Sequence, residues 1–198
     1  MLRGVSRLAW LSLFVAAAVL LAAGAFFFFM RSPAPVAGTE LTNPVLVSGL
    51  DLVNQRGQSV DLAADFGGDV TLVFFGYTRC PDVCPLTMAR LAQAYQNLPD
   101  TEGLSVVMVT VDPGHDTPEV LGDYVSRFHP DFVGLTGNNS QVAEAAKAFY
   151  VGFAGEAPTV AHTDMVVVLD RQGNMRYMYG QEAVISIGED LPGLLRRL

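Results

Sequence analysis

Phe74-Phe75-Gly76-Tyr77-Thr78-Arg79-Cys80-Pro81-Asp82-Val83-Cys84-Pro85 holds the only two cysteines of the chain. The run leading into it, Val70-Thr71-Leu72-Val73-Phe74-Phe75, is almost wholly apolar and rich in β-branched and aromatic residues. It reads as a buried central strand. On the other side, Cys84, Met88, Leu91, Tyr95 and Leu98 recur at spacings of four and three, the period of one helix face. Pro85 suits the first turn, where its missing N–H costs no hydrogen bond. The two thiols therefore lie where a strand passes into a helix. The free N–H groups and partial positive charge of a helix N-terminus favour a thiolate there. Sulfurs four positions apart can close a disulfide or grip one soft metal ion.

Working outward, Leu104-Ser105-Val106-Val107-Met108-Val109-Thr110-Val111 is a second buried strand, so strand, helix and strand form a parallel βαβ unit. Thr117 or Asp116 can cap the next helix, with Pro118 at its first position and Glu119 in its first turn. That helix runs on through Leu121, Tyr124, Val125 and Phe128. Phe132 to Leu135 is a short strand, and Gly137-Asn138-Asn139-Ser140 opens a further helix through Phe149. Met165 to Leu169 and Asn174 to Tyr179, joined by Asp170-Arg171-Gln172-Gly173, read as an antiparallel hairpin at a sheet edge. Asp190 to Leu198 closes the chain as a helix. Upstream, Val45 to Val53 and Ser59 to Leu62 flank the turn Asn54-Gln55-Arg56-Gly57, an N-terminal β-hairpin. The whole is an α/β, thioredoxin-like plan over residues 45–198, long enough for one domain with a substantial core.

Residues 1–7 form a short N-terminus carrying Arg3 and Arg7. Residues 8–30 contain no charge, and their 23 positions would rise roughly 34 Å as a helix, enough for a bilayer core. This predicts a single transmembrane anchor, the positive flank holding the N-terminus in the cytoplasm and the rest on the periplasmic side. Residues 31–44, with Ser32-Pro33-Ala34-Pro35, read as an extended tether. From Leu41 onward nineteen Asp and Glu stand against nine Lys and Arg, which excludes a nucleic-acid partner held through its phosphates. In an oxidising compartment a cysteine pair becomes a disulfide unless it is reduced or metallated. The loop here is so small that a purely structural bridge would stabilise little.

Gly76-Tyr77-Thr78-Arg79-Cys80-Pro81-Asp82-Val83-Cys84-Pro85 resembles the signature of the Sco/SenC family of thioredoxin-fold copper proteins. Further landmarks follow in order: Val111-Asp112-Pro113, Asp116-Thr117-Pro118-Glu119, Gly134-Leu135-Thr136-Gly137, and His162-Thr163 ahead of a strand. The resemblance covers nearly all of residues 41–198. It implies a membrane-bound metallochaperone that delivers copper to the copper-containing subunit of cytochrome c oxidase, with other periplasmic copper or thiol-redox proteins as partners.

Two thiolates and one imidazole suit Cu(I), with Cu(II) as a second state. The chain offers His115, His129 and His162. The resemblance selects His162, so the metal set it implies is Cys80, Cys84 and His162. Family members often carry an acidic residue immediately before that histidine, where this chain has Ala161, and Asp164 or Asp112 could substitute. Arg79 would lower a thiol pKa if it turned inward. Met88, Met108 and Met165 read as core, while Met175 and Met178 leave room for a transient copper contact. The rival function is a thiol–disulfide oxidoreductase, with Cys80 as nucleophile and Cys84 as resolving thiol. Its disadvantage is the three residues between the cysteines where thioredoxin-type reductases have two.

Overall fold

The computed structural model describes the backbone of residues 7–31, 36–154 and 161–198, with side chains in those ranges except at 7–9, 25, 27–31 and 161–162. Two compact units result, Met1–Pro35 and Val36–Leu198. In the first, α1 spans Arg7–Arg31. Among the described residues, however, no helix is long and apolar enough to cross a membrane. The expected span is thus present as a helix but is not supported as a membrane crossing. The tether residues 32–35 lie outside the described residues.

The second unit is built on β4 (Val70–Gly76), buried at every position. Its apolar run permits this because neighbours satisfy its backbone on both sides. It pairs in parallel with β5 (Leu104–Thr110), register Val70↔Leu104 to Gly76↔Thr110. On its other side it pairs antiparallel with β9 (Met165–Leu169), register Thr71↔Leu169 to Phe74↔Val166. Between β4 and β5 the chain makes α3 (Val83–Gln96), with Cys84, Met88, Leu91 and Tyr95 buried as their spacing predicts. β5 leads through α4 (Pro118–Ser126) to β6 (Val133–Thr136), parallel to β5. Of the two candidate caps, Thr117 does the capping, its Oγ1 accepting the Val120 N–H at 3.3 Å. α5 (Asn139–Ala148) starts with a capping box between Asn138 and Gln141.

Side chains alternate across the sheet, so Phe74 and Phe75 point to opposite faces. Phe75 meets Phe149, at the end of α5, with ring centroids 5.2 Å apart. On the other face, Tyr95 of α3 stacks near His129 and Phe132 beyond α4. Gly188 of α6 (Ile187–Arg197) lies against Ala94 of α3. Helices α3, α4 and α6 thus share the face that Phe74 and Gly76 present.

Three expectations change. Val45 to Val53 is not one strand: β1 (Thr39–Leu46) starts inside the stretch read as tether, and a break separates it from β2 (Asp51–Asn54). β2 forms the predicted hairpin with β3 (Ser59–Asp61), followed by one turn of helix, α2 (Leu62–Asp65). That hairpin joins the sheet through β6, whereas β1 pairs with β10 (Asn174–Gly180). The β9–β10 hairpin is therefore inside the sheet, whose order is β1-β10-β9-β4-β5-β6-β2-β3. Lastly, a 3-10 turn at Ala183–Ser186 brings α6 in at Ile187, ahead of the predicted Asp190. A two-stranded ribbon, β7 (Phe153–Ala154) with β8 (Ala161–His162), stands apart from the main sheet.

Phe149→Ala should lower unfolding stability by about 3–5 kcal/mol in urea titration, because it empties a fully buried aromatic site. A loss below about 1 kcal/mol would contradict the packing of α5 against Phe75.

Candidate metal centre

Where β4 ends, Gly76 still follows the sheet: its carbonyl accepts the Val111 N–H at 2.8 Å. The absence of a side chain is required there. A Cβ on Gly76 would lie 3.1 Å from Cys84 Sγ and 2.7 Å from the Phe74 ring. The chain then leaves the sheet through Tyr77 to Asp82. A Cys80 N–H to Tyr77 carbonyl bond of 3.2 Å closes the turn.

Asp116 holds this loop in place. Its buried carboxylate accepts the Thr78 N–H at 3.0 Å, the Thr78 hydroxyl, and the Thr110 hydroxyl at 2.6 Å. A second tie is the ion pair of Arg79 with Asp112, at 2.7 Å. Arg79 therefore points at a carboxylate and not inward, the orientation on which an effect on the thiols depended. Asp112 is accordingly engaged with Arg79. Asp116, one of the two candidate caps in the sequence, anchors the loop instead of capping α4. The available signal was a threonine at the exit of each central strand, Thr78 and Thr110, with an acid opening the next helix.

The cysteines occupy different environments. Cys80 is half-buried and Cys84 wholly buried, and neither is in a disulfide. Asp82, at the cap position of α3, makes no side-chain cap bond. The Cys84 N–H donates instead to Cys80 Sγ at 3.4 Å, so a sulfur takes the capping role and receives the helix-terminal amide. Cys84 is governed by its burial. Burial, followed by its hydrogen bond with Cys80, pushes its thiol far above the ordinary value, while a backbone hydrogen bond from Tyr77 opposes this. The negative charges of Cys80 and Asp164 push in the same direction as burial. At Cys84 desolvation outweighs the helix terminus. The Tyr77 phenol is likewise raised, first by burial and then by the charge of Cys80, to which it hydrogen-bonds.

Of the histidines, His129 is held by the Tyr95 and Phe132 rings, and its Nδ1 accepts the Asp131 N–H at 3.2 Å. His115 is exposed in the turn after β5, its backbone bonded to Asp112 and Thr117. For His162 the backbone alone is described: it pairs with Phe153. Downstream, Thr163 N–H bonds the Gly152 carbonyl at 2.9 Å, and β9 begins beside the end of β4. Continuing that register sets residue 164 opposite Gly76, in line with the action of the Asp164 charge on Cys84. Among the described residues no group of three His, Cys, Asp and Glu side chains is arranged to hold a metal ion. What these residues supply is two adjacent sulfurs. Met88, Met108 and Met175 are fully buried and Met165 nearly so, as core residues; Met178 is half-buried at the β1–β10 seam.

Gly76→Ala should destabilise the fold by about 1–3 kcal/mol through overpacking. Asp116→Ala should cost at least about 3 kcal/mol, since it strands three donors, and should quicken alkylation of Cys84. Arg79→Ala, removing a half-exposed ion pair, should stay within about 1 kcal/mol. Denaturant titration and iodoacetamide kinetics test all three, and equal costs for Asp116→Ala and Arg79→Ala would refute the anchor.

A family model described as SCO1/SenC matches residues 39–191. The chain is 29% identical to an SCO2-like protein of Rickettsia felis over 198 residues, covering 92% of this chain and 96% of that protein. The solution structure of apo Sco1 from Thermus thermophilus superposes with a TM-score of 0.73 at 36% identity, over 82% of this chain and 96% of that one. The crystal structure of Arabidopsis thaliana ScoI with copper bound gives a TM-score of 0.68 at 27% identity, over 77% and 99%. Fold, cysteine junction and these matches agree, and the chain belongs to the SCO1/SenC family.

Proposed function

We propose that this protein is a copper metallochaperone that holds copper through Cys80, Cys84 and His162 and passes it to the copper-containing subunit of cytochrome c oxidase. The observation that carries the reading is the pair of adjacent sulfurs at the β4–α3 junction, one half-exposed and one buried. Two thiolates so close, one of them desolvated, repel each other unless a cation joins them. A soft monovalent ion answers both charges, and Cu(I) favours few ligands of this type. Family membership and the copper-bound relatives point to the same metal. Copper is cargo here. The half-exposed Cys80 gives an incoming thiolate a place to enter while the buried Cys84 still holds the ion.

His162 is supported as third ligand by the family motif and by its backbone, two residues before Asp164, whose charge acts on Cys84. The oxidase as recipient rests on the family resemblance. A membrane anchor with the domain on the periplasmic side rests on the uncharged run of residues 8–30 and its arginine flanks.

The full-length protein in detergent, with cysteines reduced, should bind one Cu(I), and Cys80→Ser or Cys84→Ser should lose it. His162→Ala should weaken binding by tenfold or more. Undiminished copper stoichiometry in His162→Ala would defeat the ligand assignment. A Cys80→Ser strain should fail to assemble active oxidase, and the protein should stay with membranes through alkaline carbonate washing.

The unequal burial of the thiols also favours a second reading, a thiol–disulfide oxidoreductase with Cys80 attacking and Cys84 resolving. Thiol exchange that survives in His162→Ala while oxidase assembly fails favours the chaperone. Assembly that tolerates loss of copper binding but not of exchange favours the reductase.

A further inference from the structure

His162-Thr163 is a landmark of the sequence whose second member the copper reading leaves unused. Thr163 stands where the chain passes from the β7–β8 ribbon into β9. Just before it His162 pairs with Phe153, and just after it β9 runs antiparallel beside β4. At Thr163 itself the chain is tied to Gly152 twice. The Thr163 N–H donates to the Gly152 carbonyl at 2.9 Å, and the Gly152 N–H donates to Thr163 Oγ1 at 3.2 Å. The second bond belongs to the side chain.

Gly152 is a firm point to tie to. α5 ends in a Schellman pair, the Val151 N–H on the Ala146 carbonyl at 2.8 Å and the Tyr150 N–H on the Lys147 carbonyl at 3.1 Å. Tyr150 takes the left-handed position of that motif at φ 58°, where glycine is the usual residue. Its side chain is 65% exposed, so no packing of the ring accounts for the strain. What the conformation achieves is a turn of the chain: Val151 enters the core beside buried Phe149, and Gly152 comes out against Thr163.

We propose that Thr163 is a positioning residue for His162: by accepting the Gly152 N–H, its hydroxyl clamps the base of the β7–β8 ribbon to the end of α5. Residue 162 is thereby kept at the end of the sheet where β4 gives way to α3. The ribbon needs such a clamp, because strands of two residues each do not hold together alone. Valine has the same shape as threonine and accepts no hydrogen bond. The part of this inference that concerns copper rests on the chaperone reading; the clamp does not.

Thr163→Val in the full-length protein tests both parts. In the metal-free protein, amide hydrogen exchange at Gly152, followed by NMR, should quicken by at least about threefold, because its acceptor is gone. Cu(I) affinity, by competition with a chromophoric chelator, should weaken about threefold: with the ribbon released, His162 is in place for a smaller fraction of the time, and apparent affinity falls with that fraction. Thr163→Ser keeps the hydroxyl and should restore both. Added to His162→Ala, Thr163→Val should weaken copper binding no further, since nothing is left to position. The urea midpoint should match that of the wild type, the lost bond lying on an exposed segment.

Unchanged exchange at Gly152 in Thr163→Val overturns the clamp. The positioning role is overturned by an equal loss of copper affinity with and without His162, by a loss that Thr163→Ser does not restore, or by a loss that tracks a lowered urea midpoint. If His162→Ala binds copper as well as the wild type, the ligand assignment fails, and exchange at Gly152 still decides the clamp.

Discussion

Asp116 is a buried carboxylate held by three hydrogen-bond donors and, among the described residues, by no cation. A charge in the interior is tolerable when its lone pairs are filled with good geometry, and costly when any is left empty. The need to satisfy this group fixes the loop that carries Cys80. Thr78 comes from the exit of β4 and Thr110 from the end of β5, so one carboxylate joins the two central strands at the level of the thiols. Remove it and the loop loses its ties to both central strand ends, keeping its turn bond, a half-exposed ion pair and the contacts around the sulfurs. A site that must release its metal needs a rigid support, because ligand exchange then moves the ion while the protein stays in place.

On this support the two cysteines divide the labour. The first sulfur caps α3 and meets solvent; the second lies under the sheet, so close to Gly76 that no side chain fits between. A helix-terminal amide points at Cys80, and burial disfavours negative charge at Cys84. The pair is therefore poised for partners that relieve the second sulfur, whether a soft cation or an electrophilic disulfide. Both functional readings grow from this asymmetry. They differ in whether an imidazole completes the set.

Local pattern made much of this legible. The apolar run of β4, the face of α3, the parallel β4–α3–β5 unit, the Thr117 cap and the cysteine junction all depend on residues near one another in sequence. The misreadings have a common origin. Val45 to Val53 alternated well enough to suggest one strand, but β1 and β2 are claimed by opposite edges of the sheet. The β9–β10 hairpin looked like an edge because nothing local reveals that Thr39–Leu46, more than a hundred residues earlier, covers it.

Residue spacing by itself determined that two thiols meet a helix terminus, that the fold is α/β around a buried strand, and that an uncharged run precedes the domain, because periodicity and motif are properties of neighbours along the chain. Tertiary structure alone decided which thiol is buried, that Arg79 serves Asp112, that His129 is spent on aromatic packing, and that an aspartate 38 residues from Thr78 holds the cysteine loop. Those outcomes turn on desolvation and on hydrogen bonds between distant segments, which exist only once the sheet has brought the strand ends together.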